Sequence, residues 1–254
     1  MQRRKFIAAA AAAALPLGLS AAPLTSSSAA AERQLIELRT YEMKFGGSGQ
    51  GVLMTYLNDA LAPALKRIGC PSFHVMKELG NEEPAKIWVL IAYPDAATYV
   101  AGQDLSADKA YNEAAAAYHA VPADKPVFNR YSAQLLQAFT GMPEVANPGP
   151  EAGLFELRTY EGYSEDATRR KIKMFNVEEI DLFHETGLHP VFFGNMISGP
   201  HRPALVYMLH FKDMEERNAN WSKFGPHPKW RAMVVKEEYA NSVSNIRKSF
   251  LVPA

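Results

Sequence analysis

One hexapeptide, Glu-Leu-Arg-Thr-Tyr-Glu, is written twice in this chain, as Glu37–Glu42 and again as Glu156–Glu161. Six consecutive identical residues at two distant places mark an internal duplication, so the chain is expected to fold as two similar units. Beyond the hexapeptides the agreement is one of pattern. Gly69 falls opposite Gly187, Asp95 opposite Asp213, and the apolar run Lys86–Tyr93 opposite Ala204–Phe211. Leu57 and Leu65 fall opposite Phe175 and Phe183, on the apolar face of a helix in each half.

Each half reads strand, helix, strand, strand, helix, strand. In the first, Leu35–Glu42 alternates as a strand, and Val52–Ile68 carries leucines at helical spacing, with Pro63 expected to kink that helix or move its start. Strands over Ser72–Leu79 and Lys86–Tyr93, a helical stretch Asp95–Ala120 and a strand Arg130–Phe139 complete the first half. In the second, Ser164 caps a helix whose first turn holds Glu165 and Asp166, and Gly187 ends it. Strands near His189–Ile197 and Ala204–Phe211, a long helical region from Asp213 and a last strand near Ser242–Val252 follow. Thr140–Gly153, rich in proline and glycine and without periodicity, reads as the linker. The predicted domains are therefore a first unit over 32–139, a linker over 140–153 and a second unit over 154–254. Strand-helix-strand-strand-helix-strand is the ferredoxin-like plan, which leaves one sheet face bare. Two such units are expected to bury their bare faces against each other as an α+β barrel within one polypeptide.

Residues 1–31 are set apart as an export signal: a basic start, an apolar stretch Phe6–Leu19, and small residues ahead of Glu32. Arg3-Arg4 followed by Lys5, Phe6 and Ile7 resembles a twin-arginine signal, with an ordinary secretory signal as the alternative. Cleavage is expected after Ala31, which places the mature protein in the periplasm or outside the cell. Without Arg3, Arg4 and Lys5, 24 basic residues face 27 acidic ones, and no basic patch points to nucleic acid. Cys70 is the only cysteine, so no intramolecular disulfide forms. No second apolar run is long enough to span a bilayer.

Within each hexapeptide strand, alternation separates two sets of side chains. Ile36, Leu38 and Thr40 lie on one side and Glu37, Arg39 and Tyr41 on the other; Phe155, Leu157 and Thr159 oppose Glu156, Arg158 and Tyr160. The apolar set is expected to face the helices, and the Glu-Arg-Tyr set the barrel interior or the seam, as one cluster of six. Two readings are open for it. The ion pairs hold the sheets in register, or an arginine presents its fork to an anionic ligand with a tyrosine as donor. Trp221, Phe224, His227 and Trp230 recur every third residue, with Pro226 and Pro228 interrupting the helix so that His227 caps its restart. The tryptophans either pack the sheet or rim a pocket with His227 as its polar group. His184, Glu185 and His189 fit no metal spacing, and His74 and His210 lie in strands. No metal site is expected.

Glu-Leu-Arg-Thr-Tyr-Glu opening each of two ferredoxin-like units resembles the NIPSNAP family. So does Asn220–Met233, which carries a W-x-x-F-x-x-(D or H)-P-x-W pattern. The resemblance covers nearly all of residues 34–252 and implies the dimeric α/β-barrel fold. The family's eukaryotic members are associated with mitochondria and protein trafficking, and the wider superfamily includes monooxygenases, dehydratases and haem enzymes. An export signal departs from the mitochondrial members. Taken together, the expected function is that of an exported protein binding a small organic ligand, anionic if an arginine reads it, within the barrel. The alternatives are a cofactor-free or haem-assisted monooxygenase-like enzyme and a non-catalytic interaction module of the cell envelope. No cofactor is predicted, haem being the alternative; catalytic residues and oligomeric state are left open.

Overall fold

The computed structural model describes residues 32–46 and 49–254; the expected signal segment, with its arginine pair, lies outside the described residues. Eight strands close into one antiparallel barrel in the order β1-β3-β2-β8-β5-β7-β6-β4. The first half supplies β1 (Leu35–Glu42), β2 (Ser72–Glu78), β3 (Lys86–Tyr93) and β4 (Arg130–Ala138). The second supplies β5 (Leu154–Glu161), β6 (His189–Ser198), β7 (Ala204–Phe211) and β8 (Asn245–Pro253). Each half is a four-stranded ferredoxin-like sheet, and the barrel closes where β2 meets β8 and β4 meets β6. The duplication is thus a pseudo-two-fold barrel in a single chain.

The helices lie outside. In the first half they are α1 (Gln50–Thr55), a π turn Tyr56–Leu61, α2 (Ala62–Arg67), α3 (Ala96–Ala101) and α4 (Lys109–His119). In the second they are α5 (Glu165–Met174), a π turn Phe175–Glu179, α6 (Ile180–Glu185), α7 (Met214–Phe224) and α8 (Pro228–Val234). Asp95, Asp108, Ser164 and Asp213 each cap a helix with a side-chain oxygen. Gly69 and Gly187, both at positive φ, end the first helix of each half. The stretch Asp95–Ala120 is two helices rather than one, broken between Gly102 and Asp108.

Pro63 stands in the first turn of α2, so a fresh helical segment starts there, the second of its two expected effects. The residue before it, Ala62, bonds back to Leu57 in the wide pattern of a π turn, and Ile180 bonds to Phe175 in the same way in the second half. The second half has Asp181 where the first has Pro63, so the π turn belongs to the fold and the proline merely fits behind it.

The expected facing of the hexapeptide strands is reversed. Ile36, Leu38, Phe155 and Leu157 point into the barrel, where they pack with Leu90, Leu136, Val206 and Met208 as one apolar cluster. The Glu-Arg-Tyr sets lie outside, beneath the helices of their own halves. Alternation tells which side chains share a face but not which face is which, because both faces of these strands are buried. The proposed linker is also less idle than its composition implies. Val145 and Ala152 belong to the barrel cluster, and Val145 donates its backbone N–H to Gln34 Oε1 at 2.8 Å.

Candidate functional site

Because the barrel wall separates them, the two Glu-Arg-Tyr sets do not meet as one cluster, and a ligand site inside the apolar barrel is not supported. Each set must be read against the helices above it.

In the first half the set is sealed. Arg39 grips Glu37 with two parallel bonds, Nε to Oε1 at 2.6 Å and Nη2 to Oε2 at 3.0 Å, and the Tyr93 hydroxyl donates to Glu37 Oε2 at 2.8 Å. Glu37 is 2% exposed and Arg39 7%. Burial opposes the Arg39 charge, but the Glu37 pairing outweighs it and holds the guanidinium above its ordinary pKa. Tyr41 packs among Phe128 and Tyr131. Above this set, Leu53, Leu57, Leu61 and Leu65 close the layer with apolar side chains.

The second half shares the pattern and departs from it in chemistry. Arg158 donates through Nε to Glu156 Oε1 at 2.8 Å and through Nη1 to the Tyr160 hydroxyl at 3.3 Å; Tyr160 and Tyr207 share a hydroxyl contact at 3.0 Å. Arg217, from α7, adds a second fork on Glu156 at 2.8 and 2.9 Å, and Trp221 Nε1 donates to the same carboxylate at 2.8 Å. Burial would raise the Glu156 pKa, yet Arg217, Arg158 and Trp221 together hold it below the usual carboxylate range. The Arg158 guanidinium lies 4.1 Å from the Trp221 ring centre.

Beside this network stands an ion pair that the sequence reading missed. Lys171 Nζ donates to Glu179 Oε2 at 2.8 Å, both buried, with the ammonium 4.8 Å from the Phe175 ring and 5.6 Å from that of Trp230. Burial drives the Glu179 carboxyl above its ordinary pKa, and Lys171 only partly opposes this. The matching π turns align Ala62 with Ile180, which places Leu53 opposite Lys171 and Leu61 opposite Glu179. The signal was therefore present in the duplication: two leucines in one copy, an acid and a base in the other.

The structure thus brings Glu156, Arg158, Tyr160, Trp221 and Trp230 together in one sheet-helix layer, while Glu37, Arg39 and Tyr41 lie on the far side of the barrel. Arg158, Tyr160, Trp221 and Trp230 are only partly buried and form the solvent-facing edge of the layer. His227 is the cap of α8, accepting from the Lys229 backbone at 3.3 Å and lying near Glu185, apart from the Glu156 network. His74 and His210 sit in β2 and β7, each held below its ordinary pKa by burial. Among the described residues no three His, Cys, Asp or Glu side chains gather as a metal site, and no helix is long and apolar enough to cross a membrane.

Strand order, external helices and pseudo-two-fold closure define a dimeric α/β barrel formed within one chain. The family model described as NIPSNAP matches residues 155–254, from the second residue of β5 through β8. Among solved structures, a candidate monooxygenase from Fusobacterium nucleatum subsp. nucleatum ATCC 25586 superposes with a TM-score of 0.60 at 8% identity, covering 87% of this chain and 92% of its own. A candidate monooxygenase from Lactobacillus acidophilus NCFM gives 0.55 at 10% identity, covering 87% and 94%. An anthrone oxidase-like protein gives 0.53 at 7% identity, covering 89% and 93%. At such identities the likeness is one of fold. A search of the curated proteins finds no match.

Proposed function

We propose that this protein is an exported, NIPSNAP-type barrel that binds a small organic molecule in the sheet-helix layer of its second unit. The single observation that carries the reading is the Lys171–Glu179 pair. The first unit closes the same layer with Leu53 and Leu61, so the fold does not need charges there. Replacing a buried ion pair with well-packed apolar residues is often neutral or stabilising, by about 1–4 kcal/mol. A pair kept at such a cost is a candidate for function, as perturbed buried groups often are.

The chemistry of the edge suggests the ligand class. Trp221 and Trp230 offer flat apolar surface, and Arg158, which shares the single carboxylate of Glu156 with Arg217, offers positive charge beside it. An aromatic or conjugated ring bearing a carboxylate or enolate suits both. The Glu156 network positions Arg158 and Trp221 rather than meeting the ligand, because its oxygens already accept from three side chains. A second reading rests on Glu179, whose raised pKa beside the Lys171 ammonium suits proton transfer, as a cofactor-free oxidoreductase would require. Oxygen uptake with a bound ligand distinguishes it from simple binding.

The test is a panel of aromatic carboxylates followed by tryptophan fluorescence. Saturable quenching is expected for the native protein and its loss in the Lys171→Leu/Glu179→Leu variant. Undiminished binding by that variant would refute the assignment.

A further inference from the structure

The seam where β4 meets β6 holds a cleft of about 370 Å³ that takes residues from both units. We propose that this cleft is a second site, separate from the sheet-helix layer, and that it binds a small organic anion. Its floor is apolar: Phe139 and Met196 are buried there, and Ile172 borders them. Its rim is basic, with Arg33, Arg169 and Arg202 against one acid, Glu165. Neutral side chains, the amides of Gln137 and Asn195 and the hydroxyl of Thr168, complete the polar lining.

The three arginines are not equivalent. Arg33 is partly buried and held in place, donating to the Ala138 carbonyl at 3.3 Å and to Gln137 Oε1 at 2.9 Å. Both anchors are neutral, so its charge is oriented without being cancelled. Arg202 has no acidic partner among the described residues. Arg169 is paired with Asp166 in its own helix and contributes least. The cleft therefore presents two guanidinium groups without a direct acidic partner among the described residues, above an apolar floor, with a fork that suits carboxylate geometry.

The duplication again supplies a control. The corresponding cleft of the first unit, beside the turn from β2 to β3, is lined by Lys77 and Lys86 against Glu78, Glu82 and Glu83. Lys86 is already paired with Glu78. Acids outnumber bases there, and the excess positive charge exists only at the β4–β6 seam.

The probe is benzoate, with benzyl alcohol and inorganic phosphate as comparisons, titrated at low salt to limit screening. The readout is the side-chain amide resonances of Asn195 and Gln137, which localise binding to the seam. Benzoate should shift both amides saturably, and phosphate should bind more weakly for want of apolar contact. Arg202→Gln alone, an exposed substitution that leaves the fold intact, should weaken benzoate several-fold. Arg33→Gln with Arg202→Gln should weaken it at least tenfold. Equal binding of benzyl alcohol, phosphate that matches benzoate, absence of shifts at the two amides, or a double variant of native affinity would each overturn the proposal.

Discussion

Replacing Arg39 by methionine should destabilise the protein far more than the same change at Arg158, although the two residues hold the same place in the repeated hexapeptide. The perturbation removes a guanidinium while keeping much of its apolar volume. At Arg39 the partner left behind is Glu37, 2% exposed, whose remaining side-chain bond is the Tyr93 hydroxyl. Stranding a buried charge in this way costs about 3–5 kcal/mol. At Arg158 the partner is Glu156, which keeps both bonds from Arg217 and one from Trp221. Its charge remains compensated, and the loss falls to roughly the 1.5–3 kcal/mol of a charge-assisted hydrogen bond, with the lower end expected. For a domain of this size each kcal/mol moves the melting temperature by roughly 2–4 °C. Urea denaturation of the chain from Glu32 onward gives both free energies, provided the slopes match the native protein. Equal losses, or a larger loss at Arg158, would refute the argument that Arg217 is what separates the two copies.

Further expectations follow from the same geometry. Trp221→Ala should cost about 3–5 kcal/mol, because the ring packs on Phe183 and Phe224 and its N–H serves Glu156, whereas His227→Ala removes a replaceable cap worth about 1 kcal/mol; thermal melts compare them. His74 and His210 are both held below their ordinary pKa, so the unfolded chain binds more protons and stability should fall as pH drops below about 6.5. His74→Phe, which takes the second unit's residue at that position, should flatten this slope in pH-dependent melts; an unchanged slope would contradict it. Replacing Arg3 and Arg4 by lysine should leave uncleaved precursor in the cytoplasm, and unimpaired export detected by cell fractionation would remove the twin-arginine reading.

The barrel itself was legible because duplication and period act together: two copies of one strand-helix order, each with an unpaired sheet face, have few ways to close. Lys86–Tyr93 and Ala204–Phe211 were read to the residue, since a continuous apolar run between turn signals leaves little choice of boundary. The cap at His227 was also legible, because Pro228 can only open a helix, not continue one. Which way the hexapeptide faced was not. A half-exposed strand announces its buried side by polarity, but β1 and β5 are covered on both sides, and a Glu–Arg pair is as acceptable beneath helices as inside a barrel. Once that face was misplaced, the site followed it inward. The Lys171–Glu179 pair stayed hidden for a different reason. A lysine and a glutamate on a helix read as solvated surface, and only the register imposed by the two π turns reveals that leucines take their places in the other copy.

The thermal melt of Lys171→Leu/Glu179→Leu tests the central claim most directly, since it gives the second unit the apolar closure of the first. If the pair serves a ligand at the expense of stability, the double variant should melt a few degrees above the native protein, or no lower. Each single variant, which strands one buried charge, should melt well below it. A double variant that melts as low as the singles would show that the pair is part of the scaffold, and would remove the reason for placing the ligand site in the second unit.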